Sequence, residues 1–402
     1  MDGTGGARTA VRSPWLMLAV ATIGFAVNFW AWALLSPLGP LFRTQGTLGT
    51  LTESDVALLV AVPVLVGSLG RIPIGALTDR YGGRVMFPLV SAATIVPILF
   101  IEFFALDSYA ALLVGGFFLG IGGTAFAVGV PFVNAWFPPE RRGLAIGIFG
   151  AGMGGTAISA LTTVKLYSNA GHQIPFLLTA ISLAAYAVIA WFVLRDAPNR
   201  RPAQGGFVQR LVANAKLPIS WQACILYAVA FGGYVAFSVY LPSYLKTAYD
   251  LNAADAANRM AGFVVVAVVM RPVGGWLSDK FHPVLVLTGC FTIAAVLAVL
   301  ASAQFPLIPL GTVAFLGLAA VLGGASGGCF ALVARVAPAE KVGGVTGIVG
   351  AAGGLGGFVP PLVMGAVYGA TDSYRIGLLL LGVVALTAAA YTWFVMRREA
   401  RT

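Results

Sequence analysis

From residue 15 to residue 396 the chain reads as a series of apolar runs, each long enough to cross a bilayer, separated by short polar breaks. A helix crosses the ~30 Å hydrocarbon core in about 20 residues, so each run predicts a spanning helix. Twelve such runs follow one another, with cores at 15–42, 55–77, 85–105, 108–136, 143–167, 174–194, 219–245, 258–278, 283–304, 308–333, 344–369 and 375–396. In lipid each backbone N–H and C=O must be satisfied inside its own segment, which leaves the helix as the form for these runs. Only 9% of the residues are charged, far below the roughly 25% of soluble domains. The expectation is an all-α membrane protein of twelve transmembrane helices with little left for a soluble domain. The first run is too long for a signal peptide and lacks a clear cleavage site, so it is expected to be retained.

The formal net charge is +10, which by itself would fit nucleic acid. Its distribution points elsewhere. With the N-terminus inside, the inner segments hold 17 of the 24 Lys and Arg, among them Arg141, Arg142, Arg200, Arg201, Arg397 and Arg398. The outer segments hold five: Arg43, Lys165, Lys246, Arg259 and Arg375. That asymmetry places both termini in the cytoplasm of a multi-pass plasma-membrane protein. The basic balance then reflects topology and attraction to anionic lipid, with no nucleic acid as partner. Six of the eight tryptophans lie near inner helix ends, as an interfacial belt would, whereas Trp30 and Trp32 sit deep in the first span. Cys224, Cys290 and Cys329 fall within spans and suggest packing rather than a disulfide framework. His172 and His282 fall in short loops.

The polar stretch from 195 separates six spans from six. The expected organisation is a six-helix bundle over 1–194, a cytoplasmic linker over 195–218 and a second six-helix bundle over 219–402. The bundles repeat each other. In "RIPIGALTDR" from 71 and "RPVGGWLSDK" from 271, Arg, Gly and Asp recur 200 positions apart. "FPPERRGLAIGIFGAGMGG" from 137 and "APAEKVGGVTGIVGAAGGL" from 337 pair without a gap, matching Pro138, Glu140, Gly143, Gly147, Gly150 and Gly154 at the same offset. Duplicated halves with substrate at their interface near the midplane are a transporter plan.

Arg71 lies eight residues deeper than Asp79, or ~12 Å along a helix. That puts it near the midplane, with Arg271 at the same depth in the eighth span. A cation there costs at least ~2.5–3.5 kcal/mol and needs a partner or a wet cavity. Glu102 is the only acid well inside a span, and it sits toward the outer end of the third. A lone arginine could snorkel or bond backbone carbonyls. Two symmetric arginines without carboxylates favour a shared anion, because two planar guanidinium forks clamp a small oxyanion. The glycines of the fifth span (Gly143, Gly147, Gly150, Gly152, Gly154, Gly155) and of the eleventh (from Gly344 through Gly354 to Gly357) read as close-packing faces. The same closeness leaves a narrow pocket, so Gly152, Gly154 and Gly354 are candidates to face the anion. Phe126, Tyr234 and Phe237 are candidate pocket walls. At the inner helix ends, Asp79 and Asp279 are expected to cap helix N-termini across the interface between halves. Arg80, Arg84 and Lys280 complete the candidate gating set, with Arg80 and Arg84 expected to pair with nearby acids.

These residues resemble the major facilitator superfamily: "GALTDRYGGR" is similar to its loop between spans two and three. Within it the chain resembles the nitrate/nitrite porters over nearly its full length, through Arg71 and Arg271, "FGGYVAFS", "GIFGAGMGG" and "GIVGAAGGLGGFVPP". The resemblance implies the major facilitator fold of two pseudo-symmetric bundles, an anion held by the two arginines, and enclosure by aromatics at Phe126 and Phe237. The chain departs from the family at Gly154, where asparagine is usual, and in "GGASGGCFALV", where a second asparagine is expected. The exact anion therefore stays open while the clamp remains.

The expected function is secondary transport of a small monovalent oxyanion, foremost nitrate and nitrite. The alternatives are another small anion such as an organic acid or cyanate, proton-coupled symport, or a channel. Enzyme chemistry is not expected: no metal cluster, nucleophile–base pair or phosphate-loop context is present, and no cofactor is implied. No acid lies near the midplane to carry a proton, which favours exchange. The transporter is expected to be a monomer.

Overall fold

The computed structural model describes residues 13–46, 48–49, 51, 53–198, 200, 206–251, 253–371 and 373–396. Arg201 of the linker and Arg397 and Arg398 of the C-terminus lie outside the described residues. The described chain is helical throughout. Its first half holds α1 (Pro14–Trp32), α2 (Leu35–Gln45), α3 (Glu53–Tyr81), α4 (Gly83–Phe100), α5 (Tyr109–Leu119), α6 (Ala125–Trp136), α7 (Arg142–Gly150), α8 (Gly155–Asn169) and α9 (Ile174–Val193). A linker helix, α10 (Phe207–Ala215), leads to the second half. That half holds α11 (Pro218–Tyr249), α12 (Ala253–Lys280), α13 (Pro283–Ser302), α14 (Thr312–Val336), α15 (Val342–Thr371) and α16 (Arg375–Tyr391).

Eleven helical stretches among the described residues are long and apolar enough to cross a membrane. The remaining expected span, 344–369, falls within α15, which runs for 30 residues. Several spans are broken where the sequence weakens the helix. The first divides into α1 and α2 at Ala33 and Leu34. The fourth tightens into a 3-10 turn over Gly120–Thr124 and the fifth over Ala151–Gly154. Both turns are glycine-rich, and glycine gives a helix interior neither side-chain packing nor conformational bias. Here the repeats diverge: the second glycine signature stays α-helical throughout α15. Val96, Phe104, Ile181 and Phe192 are exposed on the outside, the apolar surface that a bundle in lipid presents.

The helices form two pseudo-symmetric six-helix bundles. Within the first, α4 packs on α9 and α1 on α8; within the second, α13 packs on α16 and α12 on α14. Between them, α3 lies along α15 and α7 along α12. These crossings explain the glycines. A Cβ on Gly147 would stand 2.7 Å from the Arg271 carbonyl oxygen, and one on Gly347 would stand 2.5 Å from that of Arg71. Gly75 and Gly343 meet backbone to backbone, as do Gly275 and Gly143. Small residues are thus the condition for each half to lie against the other.

One end of the molecule gathers the start of α1 and the ends of α6 and α9. The Trp15 ring meets Phe137 at 5.1 Å, and Trp136 Nε1 donates to the Arg195 carbonyl at 3.0 Å. Asp79 and the linker lie at this end too, which we call the linker end. There the two halves are in contact.

Candidate functional site

Arg71 and Arg271 are both buried, at 2% and 3% exposure, in the middle of α3 and α12. Neither has a carboxylate partner among the described residues. Glu102 is paired instead with His172 at 3.7 Å. Arg71 donates from Nε to the Gly123 carbonyl at 3.1 Å and from Nη1 to the Gly350 carbonyl at 2.8 Å. The first partner belongs to its own half and the second to the other. Carbonyl bonding, weighed in the sequence as a rival to anion binding, is thus present at Arg71. Arg271 is held less firmly. Its Nη1 meets the Met153 sulfur at 2.9 Å and its buried Nε has no partner. A thioether is a weak acceptor, so this guanidinium keeps most of its donor capacity unspent. Arg271 also counts among the charges acting on Arg71. The two guanidiniums come from opposite halves, and among the described residues neither has an anionic partner.

The repeat reappears in what lies beside each arginine. A Cβ on Gly150 would stand 2.8 Å from Arg271 Nε, and one on Gly350 would stand 3.0 Å from Arg71 Cδ. Each half therefore supplies the glycine that makes room for the other half's arginine.

A cavity of ≈310 Å³ opens over Arg71. Arg71, Met153, Tyr234 and Gly354 line its depth, and Ser36, Pro37, Val60 and Thr156 line its walls toward the end opposite the linker. Arg271 does not line it; Met153 stands between. Phe126 lies beneath the Arg71 guanidinium, 5.4 Å from Cζ to the ring centroid. It stacks almost parallel to Tyr227, at 6.4 Å and 4°, and Tyr227 stacks on Phe231 at 5.1 Å. This ring column fixes the guanidinium plane through cation–π attraction.

Not every candidate reaches the cavity. Phe237 packs among Phe263 and Phe315 of the second half. Gly152 packs against α1, where a Cβ would meet the Thr22 carbonyl at 2.7 Å. Gly154 faces nearly open space, with only Val268 at 3.8 Å. Gly354 does line the cavity, beside Ser68, whereas Phe126 does not line it. Sequence reasoning missed Tyr227, Phe231, Met153, Trp32 and Ser68. Tyr227, Phe231 and Tyr234 recur at four- and seven-residue spacing, a single helix face that could have been read. Trp32 carried a signal as well, since it stood outside the interfacial belt; its Nε1 donates to the Pro63 carbonyl at 2.9 Å on the cavity wall.

At the linker end the acids occupy equivalent places. Asp79 accepts from Gly343 N–H at 3.0 Å and from Gly344 N–H at 2.7 Å, at the start of α15. Asp279 accepts from Gly143 N–H and Leu144 N–H, each at 2.7 Å, at the start of α7. Each carboxylate satisfies two orphan donors of a helix in the opposite half, at the positive end of its dipole. Among the described residues, neither Arg80 nor Arg84 makes a side-chain ion pair with an acid. Arg80 stands over the Tyr81 ring at 5.3 Å, and Arg84 meets Asp196 through its backbone N–H at 3.2 Å. Lys280 lies over Trp276 and Phe281, each at 5.5 Å. At an aqueous helix end a cation keeps its hydration and rests on a neighbouring ring, so no acid is required.

The sequence matches the Major Facilitator Superfamily over residues 21–327 and 223–402. It is 49% identical over 377 residues to the "Probable nitrate/nitrite transporter NarK2" of Mycobacterium tuberculosis, covering 93% of this chain and 95% of that one. It is 34% identical over 389 residues to the "Nitrite extrusion protein" of Bacillus subtilis, covering 96% of each. Among solved structures it is similar to the human organic anion transporter MFSD10, with a TM-score of 0.77 at 14% identity, covering 95% of this chain and 100% of that one.

Proposed function

The chain belongs to the major facilitator superfamily, among its nitrate/nitrite transporters, and from that premise we propose that it exchanges nitrate and nitrite by alternating access. One anion is gripped between Arg71 and Arg271. The observation that carries this reading is the pair of buried guanidiniums, one from each half, neither with a carboxylate partner among the described residues. A monovalent planar oxyanion offers parallel acceptors to such forks. Phe231 and Tyr234 give the anion an aromatic border, while Phe126 and Tyr227 do not line the cavity and back the Arg71 guanidinium from behind.

With both termini cytoplasmic, as the Lys and Arg distribution favours, the linker end is the inner end. The structure is then closed inside, with its cavity leading outward. The halves over 1–194 and 219–402 rock about the site, and the glycine crossings with their two aspartate caps form the inner closure. One chain supplies both arginines, so the transporting unit is a monomer. Closing a dry centre around two unpaired cations is costly. A bound anion offsets half of that charge, so the loaded carrier reorients more readily than the empty one, and an anion travels in each direction.

Liposomes loaded with nitrite, with nitrate or with neither test this reading. Labelled nitrate should enter strongly only where an anion waits inside. Concentrative uptake into anion-free vesicles under an inward proton gradient would overturn exchange in favour of proton symport.

A further inference from the structure

We propose that the linker supplies a cation that the first repeat lacks: Arg210, helped by Arg200, positions Asp79 against the start of α15 and so latches the inner end. The inference rests on the alternating-access reading above. It starts from an asymmetry between otherwise matching ends. Asp279 is faced by Arg335, at the end of α14, together with Glu140. The position 200 residues earlier is Ala135, so the end of α6 has no cation to offer. Asp79 is faced instead by Arg210 and Arg200, both from the linker.

The linker arginines do more than lie near a carboxylate. Arg210 is only 9% exposed, and its Nη1 donates to the Ala76 carbonyl at 2.8 Å. Arg200 donates from Nη2 to the Asp79 carbonyl at 2.9 Å and to that of Thr78 at 3.4 Å. The Thr78 and Asp79 carbonyls belong to the last turn of α3, the negative end of its dipole, where cations are stabilising, and the Ala76 carbonyl lies in the turn before it. The two arginines thus sit at the end of the helix that carries Asp79 and place positive charge near its carboxylate, with Arg200 also pairing with Asp196 at 3.9 Å.

The latch joins the two halves because α10 is fastened to the second. Ser220 Oγ donates to the Asn214 carbonyl at 2.7 Å, and Trp221 Nε1 donates to that of Ala215 at 2.7 Å, tying the end of α10 to the start of α11. Arg210 then reaches from this anchored helix to α3 in the first half. When the halves part at this end, that reach must break along with the Asp79 cap. A cation in the place of Ala135 would act on Asp79 as Arg335 acts on Asp279, from within the same half. Room for one exists: Ala135 is exposed and lines, with Asp79 and Arg200, a cavity of ≈560 Å³.

Spin labels at Tyr81→Cys and Glu340→Cys, with the three native cysteines replaced by alanine, report the distance across this end in the full-length protein. Arg210→Gln keeps a hydrogen-bond donor and removes the charge. It should shift the balance from short to long distances by about fivefold, the effect of losing one partly buried charge contact, and Arg210→Ala should do at least as much. Adding Ala135→Arg to Arg210→Gln should restore the short distances. A distribution in Arg210→Gln identical to that of the parent would overturn the latch, as would a shift that Ala135→Arg does not reverse. If no variant shows a second distance with or without nitrate or nitrite, alternating access itself fails and the latch fails with it.

Discussion

Arg71 and Arg271 occupy the same place in two repeats, yet their neighbours differ. Arg71 is anchored by carbonyls of both halves, while Arg271 has a sulfur as its only polar partner among the described residues. The structure therefore favours Arg71 as the fixed member of the clamp and Arg271 as the one that turns to the anion. Lysine keeps the charge and loses the fork. Arg71→Lys and Arg271→Lys should each weaken nitrate binding by roughly 10- to 100-fold, the loss of one strong charge-assisted contact, in protein that still inserts. Near-normal affinity in both variants, measured by competition in liposomes, would remove the clamp. Met153 gives a second, opposite test. Met153→Leu conserves volume and removes the acceptor that occupies Arg271, leaving the anion less to displace. Apparent nitrate affinity should tighten about threefold, in line with the weakness of a sulfur contact. Unchanged or weaker binding in that variant would show that the thioether does not compete.

Helix ends and helix crossings hold the closure at the linker end together. The caps by Asp79 and Asp279 each join one helix to the positive end of another, a contact worth up to about 2 kcal/mol when partly buried. Asp79→Asn and Asp279→Asn should therefore raise accessibility of the linker end to a thiol reagent while leaving the order of anion preference unchanged. A changed preference would instead place these acids in the pocket. The glycine crossings make an independent prediction. A Cβ at Gly75 would stand 2.5 Å from the Gly343 carbonyl oxygen, closer than packed atoms approach. Gly75→Val should wedge the linker end apart and abolish transport, with retained nitrate binding measurable by thermal shift. Loss of binding together with transport would mean that the whole fold had yielded.

Across the whole molecule, binding and closure share one interface. The Arg71 bond to the Gly350 carbonyl crosses between the halves near the proposed anion site, and the Asp79 cap crosses between the same helices two turns away. An anion that competes for Arg71 loosens the first and lets the second open. Nitrate should therefore raise deuterium uptake in peptides that begin α7 and α15, whereas sulfate, too highly charged for the site, should not. Equal uptake with and without nitrate would uncouple the site from the closure.

The sequence by itself determined the twelve spans, the duplication and the depth of the paired arginines. Hydrocarbon thickness, the helical rise and a fixed 200-residue offset are all properties of a linear string. It also carried the aspartates to the ends of α3 and α12. Tertiary structure decided which residues meet. Phe237 and Tyr227 lie on the same helix with similar character, yet only Tyr227 stacks beneath Arg71's ring column, because helix rotation against its neighbours selects the face. Met153 became the partner of Arg271 because the fifth span tightens to a 3-10 turn at that point. Arg210 reached α3 from 134 residues away. The repeat could show that Ala135 lacks a charge; only the packing of α10 across the ends of α3, α11 and α15 could show what supplies it.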